Sequence, residues 1–139
     1  MMPAFDFGTL EDSTVRITNA SLAGKVVLID FWATWCSPCL GEMPALHEAY
    51  AAFKDRGLEV LSVSIDNAPG DVAPFRSKRW AMPWRHAWVP GSLLAPGLKA
   101  LEIYGIPRAV LLGPDGKILA ADEALRGAAL QRTLGKYLK

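Results

Sequence analysis

Two β-branched and aromatic runs separated by one helix-length amphipathic segment constrain this chain more than anything else in it. Val26-Val27-Leu28-Ile29-Asp30-Phe31-Trp32 reads as a strand buried on both faces, and Leu58-Glu59-Val60-Leu61-Ser62-Val63-Ser64-Ile65 reads as a second. Between them, from Ser37 or Pro38 to about Arg56, Leu40, Met43, Leu46, Tyr50 and Phe53 recur at three- and four-residue spacing, with Gly57 as the stop. Strand, helix and strand in that order predict a parallel pair joined by a right-handed crossover. Pro44 lies inside the helix and is expected to bend it near its second turn, because its ring lacks an N–H and crowds the preceding turn.

Other elements arrange themselves around that unit. Phe5–Phe7 and Val15–Thr18 flank the turn-like Gly8–Ser13 and suit an N-terminal hairpin. After the second strand come the turn Asp66–Gly70, a helix over Asp71–Ala81 and an irregular Pro83–Gly91 with a short strand around Ala87–Val89. A short helix over Leu98–Tyr104 then leads through Gly105-Ile106-Pro107 to the strand Arg108–Leu112. Gly113-Pro114-Asp115-Gly116-Lys117 turns that strand back into Lys117–Ala121, and a last helix runs from about Gly127 to Leu138 with Leu130, Leu134 and Tyr137 or Leu138 inward. A chain of 139 residues holds one core, so a single α/β domain over residues 1–139 is expected.

Charge narrows the partners. Fifteen basic and 14 acidic side chains leave a net charge of +1, too little for a field that gathers nucleic acid or anionic lipid. No apolar run approaches the roughly 20 residues of a membrane span, and Met1–Phe7 lacks the basic start and apolar stretch of a signal peptide. The doubled Met is compatible with a chain cut from a longer protein.

Both cysteines lie in Trp35-Cys36-Ser37-Pro38-Cys39, at the junction of the first buried strand with the helix. A thiol at a first helical turn meets unsatisfied N–H groups and the positive end of the macrodipole, which favours its thiolate, so Cys36 is the expected exposed nucleophile. Cys39, about one turn on, can close or open a disulfide with it. A structural disulfide framework needs more cysteines, and a structural zinc site needs a second Cys/His pair that this chain lacks. No metal or cofactor is expected; the redox group is the pair itself.

Asp30 is the anomaly of its strand: a carboxyl among apolar residues, where burial raises its pKa toward neutrality. Two readings stand, a proton acceptor or an aspartate hydrogen-bonded at a strand end. His47 lies eleven residues beyond Cys36, about 16 Å along a helix, and reads as a surface histidine. His86 belongs to a stretch, Phe75–Trp88, in which basic and aromatic residues interleave; it reads as an insertion whose tryptophans pack on the sheet while its cations stay wet, and a binding patch is the alternative.

At this point the chain resembles a known family. Gly24–Cys39, Glu42-Met43-Pro44, Tyr104-Gly105-Ile106-Pro107 and Pro114-Asp115-Gly116-Lys117 are similar to thioredoxin-fold proteins of the bacterial TlpA/ResA type, and the likeness covers nearly the whole chain. It implies a central mixed sheet flanked by helices, with residues 1–23 as an N-terminal hairpin extension and about 67–96 as an insertion after the β-α-β unit. It implies a cis bond before Pro107, so that the backbone of Ile106 pairs with a substrate strand near the dithiol. It also implies a thiol-disulfide oxidoreductase acting on protein disulfides, as a reductant fed by an upstream dithiol donor. Such relatives work outside the cytoplasm and can be membrane-anchored, and this chain is expected to be a monomer.

Thioredoxins carry an aspartate at the place of Asp30 and ResA-like proteins a glutamate at the place of Glu42, so both acids compete for the proton of Cys39. Glu42 reads equally as a solvated first-turn glutamate. Trp35 forms the lip of the docking groove or packs over the helix start, Ser37 and Pro38 are expected to contact substrate beside it, and Thr34 and Ser37 tune the motif locally. Two other functions compete. A thiol peroxidase places Thr three residues before its reactive Cys with a Pro further upstream, where this chain has Ala33 and Ile29. The other is a non-enzymatic module of a larger protein.

Overall fold

The computed structural model describes residues 1–139. Seven strands make up one mixed sheet: β1 (Asp6–Thr9), β2 (Arg16–Thr18), β3 (Val26–Trp32), β4 (Leu58–Ser64), β5 (Arg85–Trp88), β6 (Arg108–Leu112) and β7 (Ile118–Ala121), in the order β2-β1-β5-β4-β3-β6-β7. β3, β4 and β5 run parallel, and the hairpins β1–β2 and β6–β7 join antiparallel on either side. This is the thioredoxin-like mixed sheet expected from the sequence, with the N-terminal hairpin present and β5 built from the insertion.

Alternation along β3 sorts its neighbours. Leu28 and Asp30 line one cavity with Leu46 and Leu130, and Trp32 meets the ring of Phe75, so the helices carrying those residues cover that face. They are α2 (Met43–Phe53), α3 (Val72–Lys78) and α5 (Ala128–Tyr137). The other face carries Phe31, edge-on to Phe7 of β1. No helix is long and apolar enough to cross a membrane.

The bent helix of the sequence reading is two helices. α1 (Ser37–Gly41) ends at Glu42, and α2 begins at the next residue. Pro44 supplies no N–H for the Leu40 carbonyl, and Glu42 N–H takes up Cys39 and Leu40 oxygens instead; the ladder resumes with Leu46 N–H to Glu42 O at 3.0 Å. The expected helix over Asp71–Ala81 also ends early, at Lys78.

The expected Leu98–Tyr104 helix is α4 (Pro96–Ala100), shifted toward the N-terminus. It stops where Glu102 turns left-handed at φ 58°, with Ile103 N–H bonded to Leu98 O and Glu102 N–H to Lys99 O. That is a Schellman closure with a glutamate where glycine is usual, which is why no stop signal was visible. At the last helix, Leu138 is buried and Tyr137 is exposed, its hydroxyl donating to Leu119 O.

His47 is not a surface histidine. It is half-buried between Trp80 and Trp84, with Nδ1 on Met43 O and Nε2 accepting Met82 N–H, because the insertion folds back over α2. The tryptophans of that stretch pack as the first reading holds: Trp84 Nε1 donates to Ser62 Oγ and Trp88 Nε1 to Asp66 O. His86 is buried, which pushes its pKa below the usual value.

Candidate active site

The chain between β3 and α1 is held from below. Asp66, just past β4, is 1% exposed, and its carboxylate accepts from Thr34 N–H, Thr34 Oγ and Ser64 Oγ, the last two at 2.6 Å. A carboxylate is acceptor-only when ionised, so three donors converging on it lock the residues that lead into Cys36. Sequence reading took Asp66 for a turn former; only its burial, invisible in the sequence, marks it.

Cys36 and Cys39 are joined as a disulfide. Cys36 is the N-cap of α1, and Cys39 N–H donates to Cys36 Sγ at 3.3 Å. Because α1 is only five residues long, this single aimed N–H is a better account of a stabilised Cys36 sulfur than a long helix dipole. The expected exposure of Cys36 is not found: it is 5% exposed and Cys39 3%, as both sulfurs belong to the apolar core in the bonded state. Trp35 beside them is 55% exposed, and Ser37 and Pro38 are exposed on the same turn.

Asp30 sits in mid-strand, paired with Ser62 and Ala109, and no protein donor bonds its carboxyl. It lines a cavity of about 30 Å³ together with Glu42, Pro107 and Arg126, room enough for a water. Desolvation first, and the charge of Glu42 second, push its pKa up from 3.8 to about 7, against the lowering influence of Arg126. The strand-end hydrogen-bonded reading of Asp30 therefore fails. Glu42 Oε2 accepts Gly127 N–H at 2.9 Å, so Glu42 is tied to the start of α5 and is not a freely solvated glutamate.

The Ile106–Pro107 bond is cis. Neither the N–H nor the C=O of Ile106 has a hydrogen-bond partner in the protein, whereas Pro107 O receives Arg126 Nη2 at 2.9 Å. Two unpaired backbone groups on a half-buried residue are an open place for another strand. Tyr104, two residues before, is 71% exposed. Arg126 went unnoticed in the sequence, since an arginine in a short connection carries no pattern.

Comparison with known proteins agrees with this geometry. The profile of the AhpC/TSA family matches residues 1–121. The thiol-disulfide oxidoreductase ResA of Oceanobacillus iheyensis is 46% identical over 130 residues, which are 93% of this chain and 62% of that protein. ResA of Bacillus anthracis is 30% identical across 99% of this chain and 74% of its own length. Among solved structures, the thioredoxin domain of a thiol-disulfide oxidoreductase from Bacteroides vulgatus superposes with a TM-score of 0.86 at 31% identity, covering 99% of this chain and 95% of that one. With a family profile matched over most of its length and a Cys36–Cys39 disulfide at the head of α1, the chain belongs to the AhpC/TSA family and, within it, to the ResA-like thiol-disulfide oxidoreductases.

Proposed function

We propose that the chain, working as one unit over residues 1–139, reduces disulfides in proteins outside the cytoplasm. The observation that carries the reading is the Cys36–Cys39 disulfide with Cys39 N–H aimed at Cys36 Sγ. In the reduced state Cys36 attacks one sulfur of the substrate disulfide as thiolate, and the other substrate sulfur leaves and takes a proton. Cys39 then gives its proton to Asp30 and attacks Cys36 Sγ. The second substrate thiol is released and the pair is oxidised, two electrons having passed to the substrate. An upstream dithiol donor returns them, and no other cofactor takes part.

Ile106 receives an extended substrate segment through its unpaired N–H and C=O, and the exposed Trp35, Ser37 and Pro38 supply the rest of the docking surface. Glu42 raises the pKa of Asp30 and is the second proton-handling group. The chain acts as a monomer. The likeness to ResA supports a location outside the cytoplasm.

The test is insulin reduction with a dithiol donor, together with a redox titration of the couple. Cys36→Ala and Cys39→Ala are each expected to abolish turnover, and the potential is expected near about −270 mV; a value near −120 mV overturns the reductant reading. Stoichiometric hydrogen peroxide consumption lost in Cys36→Ser would instead make it a peroxidase.

A further inference from the structure

The segment between β7 and α5 reaches Pro107, Glu42 and the cavity that Asp30 lines. Arg126 Nη2 donates to Pro107 O at 2.9 Å, Nη1 donates to Glu123 Oε1 at 3.0 Å, and Asp122 Oδ1 lies 3.7 Å from Nη2. The guanidinium is thus oriented on two sides by carboxylates and spends one N–H on the carbonyl next to the docking residue Ile106. Asp122 is itself fixed, since its Oδ1 accepts Ala109 N–H at 3.2 Å and its Oδ2 lies 3.2 Å from Arg108 Nε. Gly127 N–H, one residue on, holds Glu42. The same guanidinium lines the cavity that Asp30, Glu42 and Pro107 share.

We propose that Arg126 is a positioning residue that couples substrate docking to proton transfer: its guanidinium holds the Ile106–Pro107 loop in place through the Pro107 carbonyl while setting the charge of the cavity that contains Asp30 and Glu42. This rests on the functional reading above and adds a residue to it. The consequence is directional. When a substrate strand pairs with Ile106 and shifts the Pro107 carbonyl, the guanidinium moves with it, and the field at Asp30 changes at the moment Cys39 must lose its proton. The charged groups around Asp30 are few: Glu42 from the α1–α2 junction, and Arg126 with its partners Asp122 and Glu123 from the β7–α5 connection. The neighbouring strands place the uncharged Ser62 and Ala109 beside it, and Arg108 of β6 joins the cluster only through Asp122 Oδ2. Arg126 is therefore the cation of that cavity, opposing both its desolvation and Glu42.

Arginine and lysine separate the two duties, because lysine keeps the charge and loses the planar fork. Insulin reduction would be measured as kcat and KM across pH 5.5–9 for the parent, Arg126→Gln, Arg126→Lys and Asp30→Asn, with thermal melts confirming that each variant is folded. Arg126→Gln is expected to raise KM about fivefold, the worth of one hydrogen bond, and to move the acidic limb of the kcat profile to higher pH. Arg126→Lys is expected to restore the limb and leave KM raised. An unchanged KM in Arg126→Gln overturns the docking half; a limb moved equally in both Arg126 variants, or in neither, overturns the electrostatic half. Asp30→Asn distinguishes failure of the parent reading: a limb that survives in it removes Asp30 as proton acceptor and the coupling with it, whereas a limb abolished there but unmoved in Arg126→Gln defeats the coupling alone.

Discussion

Two carboxyl groups on the central strands, Asp30 within β3 and Asp66 just after β4, receive opposite treatment. Asp66 is enclosed by three donors that leave it nothing to do but accept. Asp30 has none, faces a water-sized cavity, and is pushed to a pKa of about 7. Burial alone thus does not mark a proton-handling acid. What separates the two acids is the absence of fixed donors around Asp30, which lines a water-sized cavity instead. One carboxylate ties down the loop on which the cysteines stand, and the other has no fixed donor, as the proposed proton acceptor requires.

The comparison is easiest to break at its structural end. Asp66→Ala strands the Thr34 N–H and two hydroxyls, and is expected to cost about 3 kcal/mol in urea unfolding at pH 8. A loss below about 1 kcal/mol would show that Asp66 does not hold the loop. Asp30→Asn is expected to act with the opposite sign. Folded Asp30 binds its proton more tightly than unfolded Asp30, so its contribution favours the folded state at low pH. That advantage is lost as pH rises from about 4 to about 7 and stays lost above. Removing the charge is worth up to about 4 kcal/mol at pH 8 and little at pH 4, while the buried unpartnered amide costs about 2 kcal/mol at both, so a net gain of about 2 kcal/mol is expected at pH 8 and a net loss of about 2 kcal/mol at pH 4. A destabilised variant at pH 8 would erase the contrast.

Smaller changes sharpen it. Thr34→Val keeps the backbone donor to Asp66 and removes only the hydroxyl, for an expected loss of about 1 kcal/mol. Glu42→Gln removes the charge that raises Asp30 while an amide oxygen still accepts Gly127 N–H. The pH-dependent fall in stability is expected to begin at the same pH as in the parent but to level off at a lower one, with the plateau at pH 8 improved by less than about 1 kcal/mol. A pH dependence identical to the parent would remove Glu42 from the cavity's electrostatics.

Much of this was legible from local pattern. Apolar runs and helical spacing located β3, β4 and the first crossover, and the placement of Cys36 and Cys39 at a strand-to-helix junction located the site. Asp30 stood out because a charge in an apolar strand is conspicuous. Asp66 and Arg126 did not, because each takes its meaning from partners 32 and 19 residues away, Thr34 and Pro107. The division of the first helix at Glu42 was misread as a bend for a related reason: the break depends on where the orphaned carbonyls find new donors. The closure at Glu102 was hidden because tertiary burial of Leu98 and Ile103 holds a left-handed glutamate that propensity disfavours.

The bare backbone of Ile106 has a kinetic consequence. Two backbone hydrogen bonds at about 1 kcal/mol each strengthen a complex roughly thirtyfold, which is little on the scale of protein affinities. They are also indifferent to the side chains of the strand they grip. Under the proposed docking, a partner held in this way is recognised for being extended and disulfide-bonded, and breadth of substrate and rapid departure of product would come from the same pair of atoms.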